Sequence, residues 1–419
     1  MARSTATWAV FIALLIVALV TFFAVRGGLG PAPAAPGDET TDTSETPSEP
    51  VETPAASAAA PIDAEWPMFH GCQEQLGRAD GALADSLSLL WKFETGDQVK
   101  SSPVVADSRV FVGSSDENLY ALDVQTGEKL WVYGTEGVIE ATPLVLDGTV
   151  YIGSADRFLY AVDAETGELK WKYETDGQVL GSANWTRSSD GGTRILVGSY
   201  DNLLHCVDAN SGEALWTYET DNYVNGSPAV SEGKTVFGGC DALIHVVSLA
   251  DGSRVTRIDS GSYIAASAAF VDGRIYVGNY DNVFLCADVN DREVVWRHEQ
   301  SDAPFFSSPA VGEDLVVFGG RDTYVHAVRR DSGERVWRFK TLDEVNSSPV
   351  ICDGKVVVGS DDGRLYMLRL TDGKQLWSYE MGLPIISSPA VAGGLVVVGC
   401  DDGYVYAFGP KAASGSQTP

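Results

Sequence analysis

Basic side chains are scarce in this chain. It has 29 Lys and Arg residues against 58 Asp and Glu residues, and its formal net charge is -29 at pH 7. A field of this sign repels phosphate backbones and anionic lipid headgroups. We therefore expect no nucleic-acid partner and no peripheral lipid binding, whereas cationic partners remain compatible with the sequence. The solubility of a large exported protein, or a salty habitat, also accounts for an acidic surface.

Motifs for catalysis and metal binding are missing too. The sequence contains no GxSxG, HExxH or P-loop pattern, so it offers no familiar nucleophile, zinc pair or phosphate-binding loop. We predict no catalytic residues, no metal site and no cofactor. The histidines are few and spread along the chain, and we do not expect them to cluster: His70, His205, His245, His298 and His326.

Paired cysteines are absent as well. The six cysteines form no CxxC, CxxCH or Cys-Cys sequence, which argues against a redox pair, a metal knuckle or an attached haem. Cys206 and Cys286 take the small position that Ala121 and Ala161 hold in other copies of the repeat described next. We expect them to be buried free thiols.

What the sequence does contain is a repeat of about forty residues. The segment SSPVVADSRVFVGSSDENLYALDVQTGEKLW returns as ATPLVLDGTVYIGSADRFLYAVDAETGELKW. Eight copies share a glycine that ends the second apolar run and an aspartate three residues later. The aspartates are Asp116, Asp156, Asp201, Asp241, Asp281, Asp322, Asp362 and Asp402. Seven tryptophans mark the same register: Trp91, Trp131, Trp171, Trp216, Trp296, Trp337 and Trp377.

Each copy has the pattern of a small antiparallel sheet. Short runs of Val, Ile, Leu, Tyr and Phe alternate with Asp-Gly and Thr-Gly-Glu turns, which predicts four strands per copy. Eight such meanders predict an all-β, eight-bladed β-propeller over residues 66–410. The last copy lacks its tryptophan strand, and we predict that residues 87–94 supply it and close the ring. Two copies are degenerate, since Ile258 replaces the tryptophan of copy four and copy five reads DVNDREVVW at its turn.

The repeated aspartates and tryptophans each have two interpretations. A ring of carboxylates can hold calcium, but an aspartate in a hairpin also accepts hydrogen bonds from its own turn amides. We favour the turn, because a role performed once in every blade needs no ligand. The tryptophans are interpreted in the same way, as packing between blades instead of a cofactor stack.

The ends of the chain predict where the protein works. Trp8 to Val25 is an uncharged apolar run that spans about 27 Å as a helix, enough to cross a bilayer. We predict a transmembrane signal-anchor over residues 1–26, with cleavage after the small residues Ala32 or Ala34 as the alternative. Residues 27–65 are acidic and rich in Pro, Ala and Thr, which predicts a disordered linker. Residues 411–419 are predicted to be a flexible tail.

The repeat resembles a known family. The pattern AxDxxTGExxW, matched at Ala121 to Trp131 and at Ala161 to Trp171, is similar to the repeat of bacterial PQQ-like (pyrroloquinoline-quinone-type) eight-bladed propellers. The upstream residues Trp66, Phe69, Gly71 and Gly77 resemble the lead-in of that superfamily. It includes quinone-dependent dehydrogenases and the non-enzymatic outer-membrane assembly factor BamB. The resemblance implies a propeller outside the cytoplasm, in the periplasm or beyond.

The same resemblance separates the two functional classes. A quinone dehydrogenase of this family needs a calcium-binding set of Glu, Asn and Asp and usually a vicinal disulfide, together with large insertions between blades. The chain has no vicinal cysteines and little length for insertions. It also departs from BamB, because no lipoprotein cysteine follows the apolar run and the first cysteine is Cys72.

Function is expected where the copies differ. The loop before each SSP segment and each Gly-x-x-Asp hairpin are predicted to open on one face around the channel. Aromatic and arginine side chains are typical anchors of interfaces. In copies three to six they occupy those positions and form the predicted partner-binding set: Trp185, Tyr200, Tyr223, Tyr263, Tyr280, Phe305, Phe306 and Arg321. Ordinary packing at the rim is the alternative.

These observations favour a membrane-tethered, monomeric, non-catalytic scaffold of the cell envelope that binds a protein or peptide, with a BamB-like role in outer-membrane protein assembly. The alternatives are a quinone-dependent oxidoreductase and a sensor that binds a small ligand. A carbohydrate or quinone would stack on the same aromatic residues. Its polar contacts would come from the channel asparagines Asn184, Asn225, Asn279 and Asn346.

Overall fold

Strands make up all the regular secondary structure in the computed structural model, which describes residues 64–188 and 191–410. No helix in these ranges is long and apolar enough to cross a membrane. The predicted signal-anchor over residues 1–26 and the tail over residues 411–419 lie outside the described residues, as does the linker except for its last two residues.

Ten strands lie between residues 64 and 174. Two precede the first blade: β1 (Arg78–Ala79) and β2 (Leu87–Glu94). Blade 1 consists of β3 (Val104–Ala106), β4 (Arg109–Gly113), β5 (Asn118–Asp123) and β6 (Lys129–Gly134). Blade 2 consists of β7 (Leu144–Leu146), β8 (Thr149–Gly153), β9 (Phe158–Asp163) and β10 (Leu169–Glu174).

Blades 3 to 5 repeat this arrangement. Blade 3 consists of β11 (Asn184–Arg187), β12 (Thr193–Gly198), β13 (Leu203–Asp208) and β14 (Ala214–Glu219). Blade 4 consists of β15 (Ala229–Ser231), β16 (Lys234–Gly238), β17 (Leu243–Ser248) and β18 (Arg254–Asp259). Blade 5 consists of β19 (Ala269–Val271), β20 (Arg274–Gly278), β21 (Phe284–Asp288) and β22 (Glu293–His298).

The last three blades complete the ring. Blade 6 consists of β23 (Ala310–Val311), β24 (Leu315–Gly319), β25 (Tyr324–Arg329) and β26 (Arg335–Lys340). Blade 7 consists of β27 (Val350–Cys352), β28 (Lys355–Gly359), β29 (Arg364–Arg369) and β30 (Gln375–Glu380). Blade 8 contains β31 (Ala390–Ala392), β32 (Leu395–Gly399) and β33 (Tyr404–Pro410).

Each blade has four antiparallel strands, as predicted, and blade 7 gains a fifth because β1 pairs parallel with its innermost strand β27. Blade 8 takes its outer strand from the other end of the chain, because β2 pairs antiparallel with β33 from Leu87↔Pro410 to Glu94↔Tyr404. The innermost strands of neighbouring blades contact one another, and β3 contacts both β7 and β31. The ring is therefore closed.

At six of the eight junctions between blades, a tryptophan packs one blade against a glycine turn of the next. The Trp131 indole donates from Nε1 to the Ala164 carbonyl at 3.1 Å, and a Cβ on Gly167 would lie 2.8 Å from Cδ2 of that indole. Gly167 also has a φ of +77°, which disfavours other residues. The same contact joins Trp91 to Gly127 and recurs at Trp171, Trp216, Trp296 and Trp337. These six tryptophans therefore lie in contacts between blades.

Blades 4 and 5, the degenerate pair, lack both the tryptophan and the glycine of this contact. Strand pairing places Thr256 opposite Val246, in the tryptophan position, whereas Ile258 lies opposite Ile244, in the position of Tyr218. The assignment of Ile258 to the tryptophan position was therefore wrong by two residues. The facing turn in blade 5 has Arg292 at a φ of +61° where other blades have glycine. A turn that meets no indole has room for a side chain.

Serine side chains hold the inner ends of the blades together. Thr142 donates its amide to the Ser182 hydroxyl at 2.9 Å, and Ser182 donates its amide to the Ser227 hydroxyl at 2.9 Å. The chain of bonds continues around the channel to Ser388, whose amide donates to the Ser102 hydroxyl at 2.9 Å. Blades 1 and 2 are joined differently, since Ser101 donates its hydroxyl to the Ala141 carbonyl at 2.7 Å, and the serines of the repeated segment thus link all the blades at the channel.

A segment ahead of the first blade, residues 64–84, forms what we call the plug. Trp66 and Val105 exchange backbone hydrogen bonds at the innermost strand of blade 1. Further along, plug carbonyls from Pro67 to Gly77 accept amide hydrogens from the innermost strands of blades 2, 4, 5, 6 and 7. Leu83 donates its amide to the Asp353 carboxylate at 3.1 Å, which places the plug beside the hairpins after the innermost strands.

The packing of a glycine turn against an indole can be tested with two glycines of blade 2. Gly167→Ala should lower the free energy of unfolding by roughly 1–3 kcal/mol more than Gly148→Ala, because a methyl group at Gly167 overlaps the Trp131 ring. Gly148 has a similar φ of +70°, but a Cβ there meets nothing within 4 Å, so both variants share the backbone strain. Urea unfolding measures the difference, and equal losses would contradict the packing role.

Candidate partner-binding face

The connections between strands divide the propeller into two faces. The loop before each innermost strand and the hairpin between the second and third strands meet on one side, which we call the loop face. Tyr280 donates its amide to the Tyr263 carbonyl at 2.9 Å, and Asp361 donates its amide to the Glu344 carbonyl at 2.9 Å. Equivalent bonds occur in all eight blades. The plug and the hairpins after the innermost strands lie on the other side, the plug face.

Aromatic side chains of blades 3 to 6 line the loop face. Tyr200 and Tyr223 stack across neighbouring blades with ring centroids 4.8 Å apart and planes 7° apart. Tyr280 contacts Tyr263 at 6.3 Å and Phe306 at 4.6 Å between centroids. Tyr223, Tyr263 and Tyr280 are 47%, 54% and 43% exposed. We call these five residues, with Arg321, the aromatic crescent.

Arg321 links the crescent to a polar network. Its guanidinium carbon lies 4.0 Å from the centroid of the Phe306 ring, a cation-π contact. Its Nε contacts Glu344 Oε2 at 3.0 Å and donates to Asn346 Oδ1 at 3.1 Å. Asn346 Nδ2 in turn donates to Asp361 Oδ2 at 2.7 Å and to Glu344 Oε2 at 3.2 Å. The side chain of Arg321 is fixed from both sides.

Two family models match the chain. One, described as the beta-propeller of the beta-alanine-activating enzyme, matches residues 182–417, and the other, described as outer membrane protein assembly factor BamB, matches residues 81–189. The chain belongs to the PQQ-like β-propeller family. A search of curated proteins gives no match.

Solved structures share the fold of this PQQ-like propeller at low sequence identity. BamB from Moraxella catarrhalis is 20% identical with a TM-score of 0.67, over 78% of this chain and 100% of that one. The quinohemoprotein alcohol dehydrogenase from Comamonas testosteroni is 15% identical with a TM-score of 0.66, over 85% and 82%. The computationally designed protein Ika8 is 16% identical with a TM-score of 0.67, over 78% and 100%. Such different proteins show that this likeness concerns the fold alone.

Two residues of the predicted binding set lie elsewhere in this PQQ-like propeller. Phe305 is 0% exposed and packs edge-on against Phe318 and Phe284 in the core. It takes the buried position of Val179, so only Phe306 reaches the face. Trp185 lies in β11, where its carbonyl accepts from Gln73 Nε2 of the plug at 2.6 Å. The structure therefore brings together six of the eight predicted residues.

The channel asparagines predicted to contact a small ligand have separate roles. Asn184 is fully buried and donates to the Gln73 and Pro228 carbonyls, both at 2.8 Å. Asn279 donates to the Ser260 carbonyl at 2.9 Å and caps its own turn. Asn346 belongs to the network of Arg321. Asn225 is the member of this set whose Oδ1 is buried without a partner among the described residues.

The repeated aspartates organise turns. Asp116 Oδ1 accepts from the Asn118 amide at 3.1 Å, and Oδ2 accepts from the Gly96 amide at 2.6 Å and from the Tyr120 hydroxyl at 2.7 Å. A histidine Nε2 replaces the tyrosine hydroxyl in blades 3, 4 and 6. Seven of the eight aspartates accept from their own turn in this way, whereas in blade 5 Asn279 Oδ1 accepts from the amides of Asp281 and Val283. Across residues 64–188 and 191–410, no three His, Cys, Asp or Glu side chains are grouped to hold a metal ion.

Two histidines do come together, against expectation. The rings of His298 and His326 lie 5.8 Å apart between blades 5 and 6, and both are buried. Burial lowers the pKa of His298. Because the pair is enclosed in the core, it offers no group to a substrate. Cys206 and Cys286 are buried free thiols, as predicted, and burial raises the pKa of both.

The carboxyl group of Asp361, on the loop face, has a raised pKa. Burial and the neighbouring carboxylates of Glu344 and Asp343 raise its pKa to about 6, against the opposing effects of Asn346 and Arg321. Folding above pH 6 therefore buries an ionised carboxyl group at a cost. That cost falls as the pH decreases through 6 toward the ordinary value of 3.8.

Asp361→Asn should accordingly raise the melting temperature at pH 8, and the gain should shrink at pH 4.5, where the native Asp361 is protonated. Asp372→Asn is the matched control in the same blade, since contacts with the Lys374 amide and Arg369 lower the pKa of Asp372. It should show no gain at pH 8. Thermal unfolding at both pH values measures the effect, and a gain for Asp361→Asn that does not change with pH would contradict the assignment.

Proposed function

We propose that this protein is a non-catalytic binding scaffold of the cell envelope, which presents its loop face to a protein or peptide partner in a BamB-like role. The observation that carries the proposal is the aromatic crescent. Its three exposed tyrosines form stacked or edge-on ring pairs on one face, whereas an exposed aromatic patch of this kind is unusual on a protein surface without a partner.

The crescent has the composition of an interface centre. Tyrosine, phenylalanine and arginine supply large contact areas and lose little conformational entropy when they are already held in place. Arg321 is held by Glu344 and Phe306, and Tyr200 is held by Tyr223. A partner would therefore meet a preorganised surface, which lowers the entropic cost of binding.

The position of the first described residue supports the same proposal. Ala64, the first described residue, lines a cavity of about 610 Å³ on the plug face together with Glu65 and Trp66. Ala64 thus lies on the side opposite the crescent. We propose that residues 1–26 anchor the protein in the membrane with the propeller outside the cytoplasm.

Photo-crosslinking in the native envelope tests the proposal. A photoreactive phenylalanine analogue at Tyr263 should give discrete crosslinked partner bands, and Arg321→Glu should reduce them at least fivefold by removing the cation-π and ion-pair contacts. Arg369→Glu is the control, because Arg369 is a similarly exposed arginine in an outer hairpin. The same analogue at Leu215, which is 46% exposed on β14, should not give these bands.

The melting temperature of purified Arg321→Glu must first show that the variant is folded. Tyr280→Ala, which removes an exposed crescent ring, serves as a second variant. The proposal fails if the Tyr263 bands persist in both variants, or if Arg369→Glu loses them equally.

A quinone-dependent oxidoreductase is the second candidate, and one observation favours it. Glu344, Asn346 and Asp361 stand together beside the channel, and these are the residue types that bind calcium in the dehydrogenases of the family. Their orientation does not fit a calcium site, however. Asn346 directs its NH₂ group at both carboxylates and gives its oxygen to Arg321, whereas calcium requires oxygen ligands.

Thermal unfolding with pyrroloquinoline quinone and calcium separates the two candidates. A cofactor present at a hundred times its dissociation constant adds about 2.7 kcal/mol to the free energy of unfolding. We expect no shift for the wild-type protein. A saturable shift that is lost in Asp361→Asn would replace the scaffold proposal with the oxidoreductase.

A further inference from the structure

Blade 6 departs from the acidic character of the rest of the chain. Residues 310–340 contain six Arg and Lys residues against five Asp and Glu residues, whereas the whole chain contains 29 against 58. Three of the six basic residues, Arg335, Arg338 and Lys340, lie on the outer strand β26, and all three are exposed. This strand therefore carries a local positive charge on an acidic propeller.

Two of these cations share one aromatic ring. Arg338 Cζ lies 4.2 Å from the centroid of the Tyr324 ring, and Lys340 Nζ lies 5.8 Å from the same centroid. Strand pairing sets Lys340 opposite Tyr324, and Arg338, two residues earlier, lies on the same side of the sheet. We call Tyr324, Arg338 and Lys340 the basic corner. Because both charges contact one ring, a short acidic segment can reach both.

Neither cation of the basic corner has a carboxylate partner among the described residues. Their side chains contact the Tyr324 ring instead. Other arginines of the same blade are paired, since Arg321 contacts Glu344 at 3.0 Å and Arg330 contacts Asp272 at 2.6 Å. The two charges of the corner are therefore available to a partner.

The position of Lys340 is acidic in most other blades. It is the residue of the outer strand that pairs with the first residue of the third strand. Protection of the exposed sheet edge does not require a cation there, because five other blades have an aspartate or glutamate: Glu94, Glu174, Glu219, Asp259 and Glu380.

Blades 2 and 8 show the arrangement from which blade 6 departs. Lys172 Nζ lies 4.1 Å from the Phe158 centroid, and Lys92 Nζ lies 4.2 Å from the Tyr404 centroid. Both lysines take the strand position of Arg338. In each of these two blades a glutamate follows two residues later, on the same side of the sheet. Blade 6 has Lys340 in place of that glutamate, which reverses the charge at this position.

A cleft opens beside Lys340. It has a volume of about 550 Å³ and lies between blades 6 and 7, and its lining includes Lys340, Phe339, Leu342 and Tyr366. The rings of Phe339 and Tyr366 are 5.3 Å apart between centroids, and Leu342 is 74% exposed. The cleft therefore offers an apolar surface next to one cation of the basic corner.

The basic corner is held beside the aromatic crescent. Gly320 donates its amide to the Tyr324 carbonyl at 2.9 Å and closes the hairpin that also carries Arg321. Thr341, which follows Lys340, donates its amide to the Thr323 carbonyl of this hairpin at 3.0 Å. Arg321 and Tyr324 are three residues apart, so their Cα atoms are separated by at most about 11 Å. The corner thus continues the crescent toward the rim of the propeller.

We propose that the basic corner binds carboxylate side chains from an extended acidic segment of a protein partner, and that a neighbouring apolar side chain of that segment enters the cleft beside Leu342. Charge complementarity favours this occupant. A nucleic acid or an anionic lipid surface carries dense negative charge, which the rest of the propeller repels. A short protein segment presents its carboxylates to the corner alone.

The charges and the cleft have different roles in this proposal. Exposed ion pairs contribute little affinity, so the apolar contact with Leu342 supplies attachment. The cations of Arg338 and Lys340 select an acidic segment over a neutral one. The proposal rests on the scaffold function and specifies its partner.

Fluorescence anisotropy with the full chain in detergent micelles tests the basic corner. The probe is a labelled nine-residue peptide, Gly-Ser-Glu-Ser-Glu-Ser-Leu-Ser-Gly, and its control has glutamine in both glutamate positions. The glutamate peptide should bind at least about fivefold more tightly at low salt, where surface ion pairs are least screened. The net charge of -29 by itself favours the neutral peptide, so this preference requires a local basic site.

Lys340→Glu gives blade 6 the residue type of the other blades and should remove the preference. Lys172→Glu is the matched control, because Lys172 is an exposed lysine above an aromatic ring of blade 2 and the change in charge is the same. It should keep the preference. Leu342→Ser should weaken the binding of both peptides by roughly threefold or more, since it removes the apolar contact.

Three results would overturn the proposal. Equal binding of both peptides, or no binding at all, would show that the corner does not recognise carboxylates. An equal loss in Lys172→Glu would indicate a general effect of net charge. Displacement by inorganic phosphate at the concentration of the peptide would show that a free anion, and not a protein segment, is the occupant. Melting temperatures check that the variants are folded, and Arg338→Gln carries the same expectation as Lys340→Glu if the latter is not.

The outcome also separates this inference from the scaffold function itself. If the peptide preference is absent but the Tyr263 crosslinks in the native envelope remain, the scaffold stands and the acidic partner is wrong. If the preference is present but those crosslinks do not form, the corner binds carboxylates and the scaffold proposal is wrong.

Discussion

The contact between neighbouring blades is the constraint on which the rest of this propeller depends. The inner strands of a blade are apolar on both sides, as in β4, where Val110, Phe111 and Val112 are all 0% exposed. A blade can bury these surfaces only between two neighbours. The indole on a glycine turn fixes the spacing at the outer edge, and the serine ring fixes it at the channel. The repeated tryptophans, glycines and serines serve this contact, and residues that differ between copies are free for other uses.

Periodicity predicted the fold because packing between blades imposes the period. The periodicity gave the wrong register in blade 4, where the last apolar residue of the strand, Ile258, was assigned to the tryptophan position. Thr256 and Ile258 are two residues apart and share a face of β18, so apolar pattern alone does not separate them, and strand pairing does. The plug was missed as an element because most of its hydrogen bonds to the blades join backbone groups, which leave no pattern in the side chains.

The candidate site was predictable in outline. Alternation of strands and turns places the two sets of loops on one face, and this placed Tyr263 and Tyr280 correctly. Phe305 and Phe306 show the limit, since adjacent residues point in opposite directions. Phe305 aligns with Val179, and that comparison between copies identifies it as core. The raised pKa of Asp361 lay beyond sequence reasoning, because the burial and the neighbouring carboxylates that cause it are defined only in the folded chain.

The closing strand sets the order in which the molecule can be completed. Thr95, just after β2, bonds through its hydroxyl to the Gly403 carbonyl, 308 residues further along the chain. During synthesis from the N-terminus, β2 emerges before any blade, yet its partner β33 emerges last. Blade 8 therefore cannot form on a growing chain, and an exposed edge persists until the chain is finished. For this protein, a truncated product is not a smaller propeller but an open ring.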